Sequence, residues 1–315
     1  MLRVIGRRLI QGVPLLLVIS VLVFALIHAA PGGPLVMYLD NPNVRPEDIA
    51  RLRKAMGLDR SLAAQYVAWL VAFVRGDWGF SYADGRPVFE RIMERVPATL
   101  ELVGVSSLLA VLIALPVGIL SAVRRNFDRI SSVAAVAGIS LPVFWFGLVL
   151  QLVFALQLGW LPTSGRSSFG AGGAADQIAH LVLPAIVLSS VQAAAWSRYL
   201  RRAMKEALSR TYVVAARLRG VPERRVVLRH ALPGALPSFV TVVLMDSAMM
   251  ASGAVVTESV FSWPGVGSLF TEALVRRDYT VLMAFLMFGS VAVIVLNLVA
   301  DLVVLALDPR VGERA

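Results

Sequence analysis

The chain has 315 residues, 58% hydrophobic and only 16% charged, with a mean hydropathy of +0.76 and a formal net charge of +10. A soluble domain of average composition carries about 25% charged residues and lacks long apolar runs. A soluble enzyme, a secreted disulfide scaffold and a disordered chain are therefore excluded, and the absence of cysteine removes disulfides, iron–sulfur clusters and thiolate metal sites.

Uncharged windows run over 9–39, 102–123, 130–165, 177–197 and 279–300. Crossing roughly 30 Å of hydrocarbon as a helix takes about 20 apolar residues. The first expected span is Leu9–Ala30, preceded by Arg3, Arg7 and Arg8. A signal peptide is the rival reading, but its apolar core is about 7–15 residues long. His28 also stands where a small residue should precede a cleavage after Ala30. An uncleaved span is the better reading.

Residues 31–97 are too many for a structureless connection. Pro46 is suited to open a helix with Glu47 and Asp48 in its first turn, and Gly57 to close it. Leu62–Arg75 follows, apolar at 62, 66, 67, 69, 70, 73 and 74, and ends at Gly76. Both read as short helices on the outer membrane face or packed over the spans. Further spans are expected over Leu102–Val123, Ile130–Leu156, Ile178–Trp196, Phe239–Val256 (interrupted by Asp246) and Val281–Leu307. The stretch Gly170–Gly173 reads as a mobile outer loop. In lipid every backbone polar group needs a local partner, so each span should be a helix. The short alternating segments of a β-barrel are absent. The expected fold class is an all-α polytopic membrane protein with six transmembrane helices.

Lysine and arginine in short loops orient such a protein. With six spans both termini share one side, and that side collects 18 basic residues against five acidic ones. The other side holds 12 of each, and Glu101, Asp246 and Asp301 fall in or beside spans. Both termini are thus expected in the cytoplasm. The positive charge follows topology and gives no reason to invoke nucleic acid.

Chemistry is scarce. A P-loop needs G-x-x-x-x-G-K-[ST], and neither of the two lysines, Lys54 and Lys205, follows a glycine. His28, His180 and His230 have no metal-ligand spacing, and no nucleophile elbow is present. The chain reads as neither an ATPase nor any other enzyme.

The cytoplasmic segment 198–233 is the most informative. Thr211–Leu218 reads as a short helix broken by Gly220, and Pro222 and Glu223 suit the first turn of a second one. Arg225 and Arg229 share a face of that second helix, Val226–Leu228 form an apolar strip, and Leu232-Pro233 is expected to end the element. It reads either as a solvated basic loop near anionic headgroups or as a helix–turn–helix knob for a cytoplasmic partner.

These residues carry a resemblance. The segment is similar to the cytoplasmic-loop signature of ABC importer permeases, E-A-A-x3-G-x9-I-x-L-P, with Ala215, Ala216, Gly220, Leu232 and Pro233 in register. Val214 replaces the glutamate and His230 the isoleucine. Tyr212, Val213, Ala216, Arg217 and Gly220, then Glu223–Leu232 with Arg224 and Arg225, resemble the peptide-importer branch most. Further similar motifs are Pro31–Pro34 (with Gly33 for an aspartate), Gly57–Asp59, Gln65-Tyr66, Gly76–Gly79, Arg95–Leu102, Gly159–Pro162, Phe261–Gly267, Arg277–Tyr279, and Asn297 with Asp301 and Asp308–Arg310. The long first outer loop resembles the B-type membrane subunit of dipeptide, oligopeptide, glutathione and nickel importers.

The resemblance implies a type I permease architecture divided into 1–30 (tail and first span), 31–97 (outer loop with short helices) and 98–310 (a five-helix core with a coupling loop at about 198–233). It also implies a second permease subunit, two cytoplasmic ATPases that hold ATP and magnesium, and an extracytoplasmic binding protein, all at the bacterial inner membrane. No cofactor is expected in this chain. Gly220 is then both a helix cap and a coupling residue. Asn297 and Asp301, four apart in the last span, imply a structural interhelix bond, and Glu101 is expected at the interface or capping a helix start. Asp246 differs, because the family commonly has glutamine at the similar position, which makes it the pathway candidate. Peptide cargo, di- or oligopeptide or glutathione-like, is the leading reading, with an opine or a nickel complex as alternatives. An ion-coupled secondary transporter would need midplane acids, of which only Asp246 qualifies.

Overall fold

The computed structural model describes residues 2–29, 45–55, 57–168, 170 and 172–307. The motifs at Pro31–Pro34 and Asp308–Arg310 lie outside them, as does part of Gly170–Gly173. The helices in chain order are α1 (Leu2–Ala29), α2 (Pro46–Ala55), α3 (Leu62–Val74), α4 (Val88–Val123), α5 (Arg125–Ser140), α6 (Val143–Leu150, running into a π-turn at Gln151–Gln157) and α7 (Ala174–Leu208). They continue as α8 (Thr211–Leu218), α9 (Glu223–Arg225, running into a π-turn at Val226–Ala231), α10 (Leu232–Gly253), α11 (Val255–Val260), α12 (Val266–Val275) and α13 (Tyr279–Leu307). Among the described residues there is no strand, only an isolated bridge between Phe80 and Pro87. Among the described residues, five helical stretches are long and apolar enough to cross a membrane: Ile10–Ala29, Val88–Val123, Ala174–Leu208, Glu223–Ser247 and Tyr279–Leu305.

The remaining expected span, Ile130–Leu156, is built in two pieces. Pro142 forces the residue before it out of the helical region, and Leu141 is accordingly extended at φ −78° and ψ 129°. Boundaries elsewhere differ because charged turns continue the helices beyond the apolar windows. Helix α4 starts at Val88 rather than Leu102, and α7 runs on to Leu208 rather than stopping at Trp196.

The chain divides into two units, one holding Ala98–Pro264 with the chain from Val295 onward, the other Leu2–Pro97 with Gly265–Ile294. In the first, α4 presents Ala98, Leu102, Ser106, Ala110 and Ala114 at four-residue intervals, each no more than 2% exposed. Lipid tails are as apolar as leucine, so helices in a bilayer associate through close packing of small residues. That stripe belongs to a core with Trp196, Leu200 and Met204 of α7 and Phe239 and Met250 of α10. A fully buried acid completes it. Glu258 on α11 accepts from the Thr99 hydroxyl at 2.6 Å, and the Trp263 indole donates to the Ala98 carbonyl at 2.8 Å. Glu258 lies just beyond the expected span Phe239–Val256, and it holds the turn after α10 against the start of that stripe.

The second unit packs α1 against α3 and the first half of α13. Its core includes Phe24, Ile27, Ile92, Leu269 and Val281. Gly57 and Gly76 close α2 and α3 with positive φ, where the sequence placed those ends. Asp278 receives Ser81 at 2.5 Å and the Val281 N–H at 3.3 Å, which ties the start of α13 to the outer segment.

Candidate coupling surface and pathway residue

The knob is built around its glycine. Helix α8 ends in a Schellman arrangement, with Gly220 N–H donating to the Arg217 carbonyl at 2.9 Å and Val221 N–H to Ala216 at 3.2 Å. Gly220 sits at φ +76°, and a β-carbon there would meet nothing within 4 Å. The requirement is therefore conformational, not spatial. Across the turn Arg217 grips Glu223 with two hydrogen bonds, 3.1 Å from Nε and 2.6 Å from Nη2. Those bonds hold the Arg217 guanidinium above its usual range against partial desolvation.

The inner face of the knob is apolar. Val213, Ala216, Val226, Val227 and Ala231 are buried in the same cluster as Met204 and Ala207 at the end of α7. The outer face carries Tyr212, Val214, Leu218 and Leu228 among Arg217, Arg219, Arg224, Arg225 and Arg229, all exposed. The apolar strip Val226–Leu228 thus splits, two side chains anchoring the knob and one facing out. Ala215 is half-buried, and Pro222 and Glu223 are exposed at the turn.

Leu232-Pro233 does not end the element. The chain passes from α9 through the π-turn directly into α10, with Pro233 in its first turn. Proline lacks an N–H and is tolerated there. The second helix of the knob and the following span are one continuous helical rod.

Within that rod Asp246 is half-buried, and its Oδ2 accepts the indole N–H of the fully buried Trp196 at 2.8 Å. In the sequence Trp196 only ends the expected span Ile178–Trp196; its signal is a tryptophan within a helix, whose N–H requires a partner when buried. Asp128 stands two residues before the expected span Ile130–Leu156. It joins the first turn of α5 to α7 through Arg201 Nη2 at 2.6 Å and Lys205 Nζ at 3.1 Å, with Arg201 Nε close on the other oxygen. Burial raises the Asp128 pKa, but the two cations outweigh it and hold the carboxyl below its ordinary value.

Glu101 does not cap a helix start, since α4 begins thirteen residues earlier. It receives Arg166 of the outer loop at 2.5 and 3.0 Å. Asn297 and Asp301 lie one turn apart on α13, both half-buried. No group of three or more metal-binding side chains occurs among the described residues.

The described residues thus form a helical membrane protein with a basic helix–turn–helix loop whose second helix runs into a span. Residues 114–313 match the family described as the binding-protein-dependent transport system inner membrane component, and residues 1–103 match its N-terminal family. The chain belongs to this family. It is 38% identical over 310 residues to the oligopeptide transport system permease protein AppB of Bacillus subtilis, covering 97% of this chain and 98% of that one. It is 37% identical over 316 residues to the glutathione transport system permease protein GsiC of Escherichia coli K12, covering all of both. A solved structure titled as inward-facing conformations of the MetNI methionine ABC transporter matches 68% of this chain and 95% of that one. Its TM-score of 0.55 at 20% identity speaks for the fold alone. The protein is a permease subunit of an ABC importer in the bacterial inner membrane. That sets aside the ion-coupled transporter.

Proposed function

We propose that this chain, with a second permease subunit, forms the passage for peptide cargo. An extracytoplasmic binding protein delivers the cargo, and two cytoplasmic ATPases carrying ATP and magnesium drive its release. In this reading 1–30 anchors the chain, 31–97 forms the outer elements and 98–310 the transporting core. The coupling set is Tyr212, Ala215, Ala216, Arg217, Gly220, Pro222, Glu223, Arg224, Arg225, Leu232 and Pro233. One observation carries the proposal: the second helix of the knob is continuous with α10, and the Arg217–Glu223 pair ties the first helix to it. A push on a Schellman-capped, ion-paired knob moves α10 as a rigid body, and α10 bears the intramembrane acid Asp246. Intramembrane acids mark pathways by default. The names of the relatives support peptide or glutathione cargo over an opine or a nickel complex. Asn297 and Asp301 are assigned a structural role within α13.

Two measurements test this. Reporter fusions at 165, 215 and 265 should read outside, inside and outside; an outside reading at 215 removes the knob from the ATPases. Tagged chain purified in mild detergent should bring an ATP-hydrolysing partner with it, and peptide uptake should require that partner.

A further inference from the structure

We infer that α3 is embedded in the outer leaflet of the membrane without crossing it, and that its exposed face contacts lipid acyl chains. Helix α3 spans thirteen residues, LAAQYVAWLVAFV, with no charge among them. At 1.5 Å per residue it extends about 20 Å, short of the roughly 30 Å of hydrocarbon. An apolar helix of that length is normally a core helix or a membrane element that does not span. None of its residues is buried, so it is not a core helix. An interfacial amphipathic helix would carry a basic polar face, and α3 has none.

Its depth follows from its partners on α1. The Tyr66 hydroxyl bonds the Ser20 hydroxyl at 2.8 Å, and the Phe24 ring lies 5.5 Å from Tyr66 and 6.0 Å from Trp69. The crossing stretch of α1 is Ile10–Ala29. Ser20 and Phe24 therefore lie roughly 14 and 8 Å inside its outer end at the helical rise. Tyr66 and Trp69 meet α1 in the outer half of the hydrocarbon.

Polar groups at both ends of the helix are paired within the protein, as lipid favours. Ser61 caps the first turn by accepting the Ala64 N–H, and Gln65 Nε2 donates to the Arg60 carbonyl at 2.8 Å. At the far end Gly76 and Asp77 N–H groups donate to Phe73 and Ala72, each at 3.0 Å. The Trp78 indole donates to the Phe73 carbonyl at 3.2 Å. Charges appear only outside the thirteen helical residues, at Asp59, Arg60, Arg75 and Asp77.

What remains outward is a helical stripe of Ala64, Val67, Ala68, Val71 and Val74, exposed on the side away from Tyr66, Trp69 and Phe73. It continues the apolar surface that α1 leaves open at Val18, Val21, Leu22 and Leu26. The occupant that fits both is the acyl region of the outer leaflet.

The chain has no cysteine, so a single introduced thiol carries its only spin label. The permease, assembled with its partner subunits in liposomes, would be labelled at V67C, V71C, R60C or D77C, and collision rates with oxygen and a water-soluble nickel chelate measured. Labels at 67 and 71 should show an oxygen-to-nickel ratio several-fold above those at 60 and 77. Nickel collisions at 67 and 71 equal to those at 60 and 77 would put α3 in water and overturn the inference. Low collision with both reagents would mean a protein surface covers the stripe, and would overturn it equally.

Discussion

The phenol oxygen of Tyr212 stands 2.7 Å from where a β-carbon on Gly234 would project. Tyr212 belongs to α8 of the knob and Gly234 to the first turns of α10, so the bare α-carbon admits the ring against the rod. Alanine is favoured over glycine inside a helix by about 0.5–1 kcal/mol, and on propensity alone G234A would stabilise α10. The contact predicts the opposite for function. G234A should lower uptake at unchanged membrane abundance, and the double variant G234A/Y212F, which removes the hydroxyl, should restore most of it.

Gly220 is constrained by its backbone and not by its neighbours. A non-glycine residue in the left-handed region costs about 1–2 kcal/mol, less for asparagine. G220V should abolish cargo uptake and lower or uncouple ATP hydrolysis while the chain remains in the membrane. G220N should retain a substantial part of both activities. Equal uptake by G220V and wild type would remove Gly220 from the coupling set.

Two substitutions at Asp246 separate charge from hydrogen bonding. D246N keeps an acceptor for Trp196 and removes the charge. D246L leaves a buried indole N–H without its acceptor, a penalty of about 1–3 kcal/mol. Thermal melting in detergent should fall for D246L and change little for D246N. A carboxylate on the pathway favours cargo with free amino groups, so D246N should lower uptake of a cationic peptide relative to an anionic one. An unchanged ratio would place Asp246 outside the pathway.

Asp128 supplies a pH dependence of known sign. Its carboxyl is depressed in the folded state, whereas an unfolded chain titrates near the ordinary value of about 3.9. The unfolded state binds the proton more readily, so the contribution is fully present above about pH 5 and is lost as pH falls through the folded value. Melting temperature measured from pH 6 to pH 3 should decline on the acid side. D128N should start lower and lose that part of the slope.

The sequence by itself determined the membrane class, the helical fold and the two helices of the knob. Hydrocarbon length, backbone satisfaction and the φ preference of glycine are local constraints, each written in a run of residues or a single position. It marked Thr211–Leu218, Gly220, Pro46, Gly57 and Gly76 for the same reason. Only the tertiary structure decided what depends on distant partners. The split at Pro142 leaves two helical pieces, α5 and α6, where hydropathy alone shows one run. Pro233 opens a helix because the preceding π-turn delivers the chain to it already wound. Glu258 is buried because Thr99, 159 residues earlier, offers it a hydroxyl, and Asp246 sits inside a span beside an indole on another helix. Desolvating a charge is costly unless a partner is in place, and where that partner comes from is settled by packing, not by any window of sequence.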